Sequence, residues 1–185
     1  CLADRRRVGL GRRALLVSAD GSREVSVELT ASPIVGPGDA AAGAVVIMHD
    51  VSEIRGLTQR ISYQAAHDAL TGLVNRAEFE RRLEAALEKG RGDGVGHVLC
   101  YMDLDRFKAV NDTCGHLAGD NLLREIATLI RDQVRDSDVV ARLGGDEFAM
   151  LLIGCPLEKA RQIADDVCAA VRDYRFGWQD KTLTV

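Results

Sequence analysis

An α+β fold is predicted for most of this 185-residue chain: a split βαββαβ sheet with its helices on one face, preceded by a short antiparallel block and a connecting helix. Three observations predict it. Acidic residues Asp103 and Asp105, and again Asp146 and Glu147, stand at the ends of apolar runs. Val98-Leu99-Cys100-Tyr101-Met102 precedes the first pair and Ala149-Met150-Leu151-Leu152-Ile153 follows the second, so each run reads as a buried strand. Gly144-Gly145 between two such runs supplies the positive φ angles of a tight hairpin, which leaves Asp146 and Glu147 on the sheet rim. The intervening stretches carry helical spacing, over about 117–134 and 156–173.

Taken in order, residues 12–18 and 23–31 read as strands joined by Ala19-Asp20-Gly21-Ser22, and 43–49 as a third strand beyond a Pro/Gly-rich loop from Pro33 to Asp39. Three strands without a covering layer are marginal, so residues 1–50 are expected to be the C-terminal part of a larger sheet domain. The phrase His49-Asp50-Val51-Ser52-Glu53 resembles the end of PAS sensor domains. Residues 51–67 then read as a linker helix, with Val51, Ile54, Thr58, Ile61 and Ala65 spaced as a short a/d stripe suited to a parallel coiled coil or to lying on its own domain. The main domain occupies 68–185. Asn75 with Glu78 forms a helix-start signature for Arg76–Lys89, and Gly90–Gly96 breaks that helix. Strands at 97–103, 138–143 and 147–153 and a last strand beginning at Thr182 complete the pattern.

Composition narrows the function. With 46% hydrophobic and 28% charged residues the chain is ordinary globular protein, and a net charge of −4 argues against general nucleic-acid binding. A polyanionic substrate would need metal to offset the acids. Five cysteines without a C-x-x-C pair suit a reducing cytosol. The longest apolar stretch, Ala40–Met48, is far short of the ~20 residues of a membrane span, so a cytoplasmic location is expected. The opening at Cys1 suggests a piece of a parent that could be membrane-anchored.

The segment Asp105 to His116 is expected to form a loop ending at a helix N-terminus, presenting backbone N–H groups and the Lys108 cation to an anion such as phosphate. Four ordered motifs from Asp68 onward then resemble the GGDEF domain of the diguanylate cyclases. They are Asp68-Ala-Leu-Thr-Gly-Leu-Val-Asn-Arg76, Asp103-Leu-Asp-Arg-Phe-Lys-Ala-Val-Asn-Asp112, Gly115-His-Leu-Ala-Gly-Asp120 and Arg142-Leu-Gly-Gly-Asp-Glu-Phe148.

That resemblance implies a homodimer condensing two GTP into cyclic di-GMP with release of pyrophosphate, using Mg²⁺ or Mn²⁺. It assigns metal ligation to Asp103, the Leu104 carbonyl and Asp146, and to Glu147 either a second metal or deprotonation of the 3′-hydroxyl. Arg106, Phe107 and Lys108 would wrap the phosphates, Asn111 and Asp120 would read guanine, and His116 would neighbour the base or cap the following helix. Arg135 and Asp138, an R-x-x-D, would form an inhibitory product site. The family's final strands and helix are absent after Val185, so an isolated fragment could be inactive. The competing reading is a regulator that binds GTP or cyclic di-GMP without turnover and controls an attached domain, for example a phosphodiesterase.

Overall fold

The computed structural model describes residues 1, 6–37, 41–93 and 95–185, and the chain divides into two compact units, 1–62 and 63–185. In the first unit, β1 (Val8–Val17), β2 (Glu24–Val35) and β3 (Ala41–Asp50) form an antiparallel sheet in the order β1-β2-β3. Asp20 builds the first turn: its carboxylate accepts from the Ser18 hydroxyl at 2.6 Å and from the Ser22 amide at 3.1 Å, and Gly21 takes a φ of 70°. β2 runs through Pro33, where the sequence suggested a loop. The proline is tolerated because, among the described residues, β1 pairing stops at Ala31 and β2 is bonded beyond that point to β3. Gly38 and Asp39 of the expected loop lie outside the described residues.

Helix α1 (Ser52–Ala66) begins where Asp50 accepts the Ser52 amide at 2.9 Å. Val51 is buried, whereas Ile54, Leu57 and Ile61 are all more than half exposed.

In the second unit, β4 (Val74–Asn75), β5 (Val98–Asp103), β6 (Val139–Gly144) and β7 (Glu147–Leu152) form a sheet in the order β4-β6-β7-β5. β7, between two neighbours, is buried on both faces. Phe148, Met150 and Leu152 join one core with helix α4 (His116–Arg131) and helix α5 (Leu157–Asp173). Ala149 and Leu151 join a second core with Val74, Val139 and Ala141 of the sheet and Phe79 and Ala86 of helix α2 (Arg76–Asp93). The two crossover helices share a face as expected, and α2 covers the other one. The α4 stripe Ala118, Leu122, Leu123, Ile126, Ala127 and Ile130 follows helical spacing, and all six are buried.

Two expectations are corrected, and one short strand is added. The segment read as a phosphate loop contains helix α3 (Phe107–Cys114), because Val110 anchors a one-sided apolar face in the core beside the partly buried Phe107 and Cys114. β4 pairs parallel with β6 over two residues only, too few to leave a period in the sequence. The last strand does not join the sheet: β8 (Phe176–Trp178) and β9 (Lys181–Leu183) pair with each other, so the expected βαββαβ sheet lacks its fourth strand among the described residues.

Candidate active site

The site is built on the ends of β5 and β7. Antiparallel register sets Asp103 directly opposite Glu147, and Tyr101 opposite Ala149. Residues opposite one another point to the same side of a sheet, so Asp103 and Glu147 share the face that carries α2. Gly145 and Asp146 form the two-residue tip between Gly144 and Glu147. Gly144 at φ 148° and Gly145 at φ 53° adopt the left-handed region that a side chain would strain. The acids therefore crowd one rim. The charge of Asp146, above all, pushes the Asp103 carboxyl above the ordinary range, with desolvation, Glu147 and Asp105 adding to it.

Oxygen donors under mutual repulsion suit a hard divalent cation. Among the described residues no three His, Cys, Asp or Glu side chains are gathered tightly enough to enclose a metal alone. That fits an ion held by one or two carboxylates together with phosphate oxygens and water, the usual habit of magnesium.

Two arginines hold the hairpin. Arg142 donates from Nε and NH2 to the Gly145 carbonyl at 3.0 and 2.8 Å, and from NH1 to both Asp68 oxygens at 3.1 and 3.3 Å. Asp68 also accepts from the Thr71 amide and hydroxyl, at 2.9 and 2.7 Å. Burial pushes the Asp68 carboxyl up, but the Thr71 bonds and Arg142 together hold it below its ordinary value. Arg76, at the start of α2, donates to the Leu143 carbonyl at 3.0 Å and to Glu147 at 3.2 Å. Tyr101 hydrogen-bonds the same carboxylate, which raises its phenol pKa. Sequence reasoning gave no role to Arg142, Asp68, Arg76 or Tyr101. The first three lie within the quoted motifs, and the alternation of Tyr101 with Asp103 on one strand was the available signal.

After β5 the chain turns through buried Leu104 and Arg106, which sits at φ 61° and is the N-cap of α3. Leu104 accepts the Phe107 amide at 3.4 Å. Exposed Lys108 lies in the first turn of α3, where the Arg106 carbonyl accepts the Ala109 and Val110 amides at 2.9 and 3.4 Å. Beside this corner a cleft of about 380 Å³ is lined by Asp103 to Arg106 and, from α5, by Cys168 and Arg172. Asn111 near the end of α3 and Asp120 in α4 are both half-buried, and His116 at the start of α4 is exposed. Arg135 and Asp138 stand apart from this group, in the turn before β6. Both Asp138 oxygens are engaged by backbone, one by the Ile153 amide at 3.0 Å and the other by the Arg135 amide at 3.3 Å. A separate cleft of about 220 Å³ there is lined by Arg82, Arg131, Arg135 and Asp138.

No helix among the described residues is long and apolar enough to cross a membrane.

The chain is similar to several known proteins. The probable diguanylate cyclase DgcE of Escherichia coli K12 is 47% identical over 161 residues, 87% of this chain and 14% of the relative. Diguanylate cyclase TpbB of Pseudomonas aeruginosa is 49% identical over 115 residues, 60% of this chain and 26% of the relative. The chain thus spans about a quarter or less of the length of these two relatives. The crystal structure of the coiled coil and GGDEF domain of DgcB from Caulobacter crescentus, in complex with c-di-GMP, superposes with a TM-score of 0.68 at 27% identity, covering 72% of this chain and 70% of that one. The family model described as diguanylate cyclase, GGDEF domain, matches residues 65–185, and the chain belongs to that family.

Proposed function

We propose that this domain condenses two GTP molecules into cyclic di-GMP, one nucleotide being held by each protomer of a homodimer. The observation that carries the reading is the rim of Asp103, Asp146 and Glu147, whose mutual repulsion is strong enough to raise the Asp103 pKa. Asp103, the Leu104 carbonyl and Asp146 would hold Mg²⁺ or Mn²⁺, with Glu147 assisting. When bound, the cation supplies charge neutralisation on the transferring and leaving oxygens.

The residues of the chain orient the nucleotide around that centre. Arg106, Phe107 and Lys108 hold the triphosphate at the α3 N-terminus. Asn111 and Asp120 pair with guanine, its carbonyl meeting the amide and its N–H donors the carboxylate. His116 stands beside the base. The 3′-hydroxyl of one GTP attacks the α-phosphorus of the other, the bond to the β-phosphate oxygen breaks and pyrophosphate leaves. A second, reciprocal transfer closes the ring. In-line attack across two half-sites requires the dimer, and Glu147 is assigned either to holding a second cation or to receiving the hydroxyl proton.

Control is assigned to the N-terminal parts: residues 1–50 as the end of a PAS-like sensor in a cytoplasmic arrangement, and 51–67 as a coiled-coil linker. The exposed Ile54, Leu57 and Ile61 support the linker reading, as does the coiled coil named with the GGDEF domain in the Caulobacter structure. Arg135 and Asp138 are assigned to product inhibition by cyclic di-GMP, with Arg82 and Arg131 adding positive charge to the same cleft. The test is incubation of the full-length protein with GTP and Mg²⁺ followed by chromatography. Asp146→Ala should abolish cyclic di-GMP, and undiminished synthesis would overturn the metal assignment.

A further inference from the structure

Gly119 lies buried in the first turn of α4, at a position where the helix gains nothing from glycine, since alanine restricts the unfolded backbone more and favours helix. The space around it explains the residue. A Cβ at this position would fall 2.0 Å from Asn111 Oδ1, 3.0 Å from Asn111 Cγ and 3.1 Å from Phe107 Cζ. Contacts between such atoms normally settle at about 3.5–4.0 Å. Phe107 and Asn111 are four residues apart on α3, hence on one face, and that face rests on the missing side chain.

The clash has a specific outlet. The Asn111 backbone is tied down, its carbonyl accepting the Gly115 amide at 2.8 Å, whereas the amide end of its side chain turns about two torsions. An added methyl would displace the Asn111 carboxamide before it displaced the helix. Asp120, the next residue along α4, would stay in place.

We propose that Gly119 is a positioning residue for base recognition: the absence of a side chain there fixes the Asn111 carboxamide in register with the Asp120 carboxylate. This rests on the reading of Asn111 and Asp120 as the guanine contacts. Gly119 touches no substrate and acts through Asn111.

The experiment measures kcat and KM for GTP, and the inhibition constant of ATP as a competing nucleotide, in the full-length protein and in Gly119→Ala, Asn111→Ala and the double variant. Gly119→Ala should raise the GTP KM and narrow the ATP-to-GTP discrimination by roughly tenfold, the loss of about one hydrogen bond, with a smaller effect on kcat and no fall in thermal midpoint. The double variant should be no worse than Asn111→Ala alone, because the group through which Gly119 acts is gone. Discrimination retained in Gly119→Ala but lost in Asn111→Ala would overturn the inference and leave the guanine assignment standing, as would losses that multiply in the double variant. Discrimination retained in an active Asn111→Ala would overturn the guanine assignment itself. Should Gly119→Ala fail to fold, the double variant should restore folding by removing the two closest contacts, those with Asn111, and failure to do so would also overturn the inference.

Discussion

Replacing Arg142 with methionine removes the clamp on the acidic hairpin while keeping most of the side-chain volume. The side chains of Arg142 and Asp68 are only 13% and 24% exposed, so the pair lies between two known limits. Exposed pairs contribute about 0–1 kcal/mol, and breaking a fully buried one costs about 3–5 kcal/mol. Asp68 keeps its Thr71 amide and hydroxyl bonds, which lowers the cost, but the Gly145 carbonyl loses both guanidinium donors, which raises it. A net loss of about 2–3 kcal/mol follows. For a unit the size of residues 63–185 that corresponds to a fall of about 8–12 °C in Tm, read by circular dichroism. Arg142→Lys should recover only part of it, since an ammonium cannot serve the carbonyl and the carboxylate as a planar fork does. A fall below about 3 °C for the methionine variant would refute the reasoning and place the clamp among solvated surface pairs.

Arg135→Ala should relieve inhibition by added cyclic di-GMP in initial-rate measurements with no loss of Tm, because the Arg135 side chain is exposed. Asp138→Ala should relieve it too but also cost about 1–2 kcal/mol in chemical denaturation, since the Ile153 and Arg135 amides both lose their acceptor. Acid should expose the Asp68 contribution. Its folded pKa is depressed, so the stabilisation is complete above the ordinary carboxylate value of about 4 and is lost as pH falls through the folded value. The Tm difference between pH 6 and pH 3 should therefore be smaller in Asp68→Asn than in the parent, and an equal difference would remove Asp68 from the account.

The strands and crossover helices were legible because their signals are local. Gly144-Gly145 between apolar runs can hardly be anything but a hairpin, and the stripe from Ala118 to Ile130 keeps one helical face throughout. α3 was missed because Asn111-Asp112, flanked by Gly115, carries turn chemistry, while the burial of Val110 that overrides it is a tertiary fact. The face chosen by α2 was likewise hidden, since β7 is apolar on both sides and its sequence cannot say which helix covers which side. At the site, the opposition of Asp103 and Glu147 could be anticipated from two strands ending in acids. The reach of Arg142 to Asp68 and of Arg76 to Glu147 could not, because each pair is separated by some seventy residues and is brought together by the β4-β6 pairing and the packing of α2 on the sheet. Gly119 looks like any helical glycine until Asn111 is seen lying against it.

The most direct test of the central claim counts pyrophosphate and cyclic di-GMP together when the full-length protein is given GTP and Mg²⁺. Two pyrophosphates per cyclic dinucleotide, both vanishing in Asp146→Ala and without Mg²⁺, is the predicted result. GTP bound by a folded dimer with no pyrophosphate released would contradict the account and make the domain a nucleotide-binding regulator.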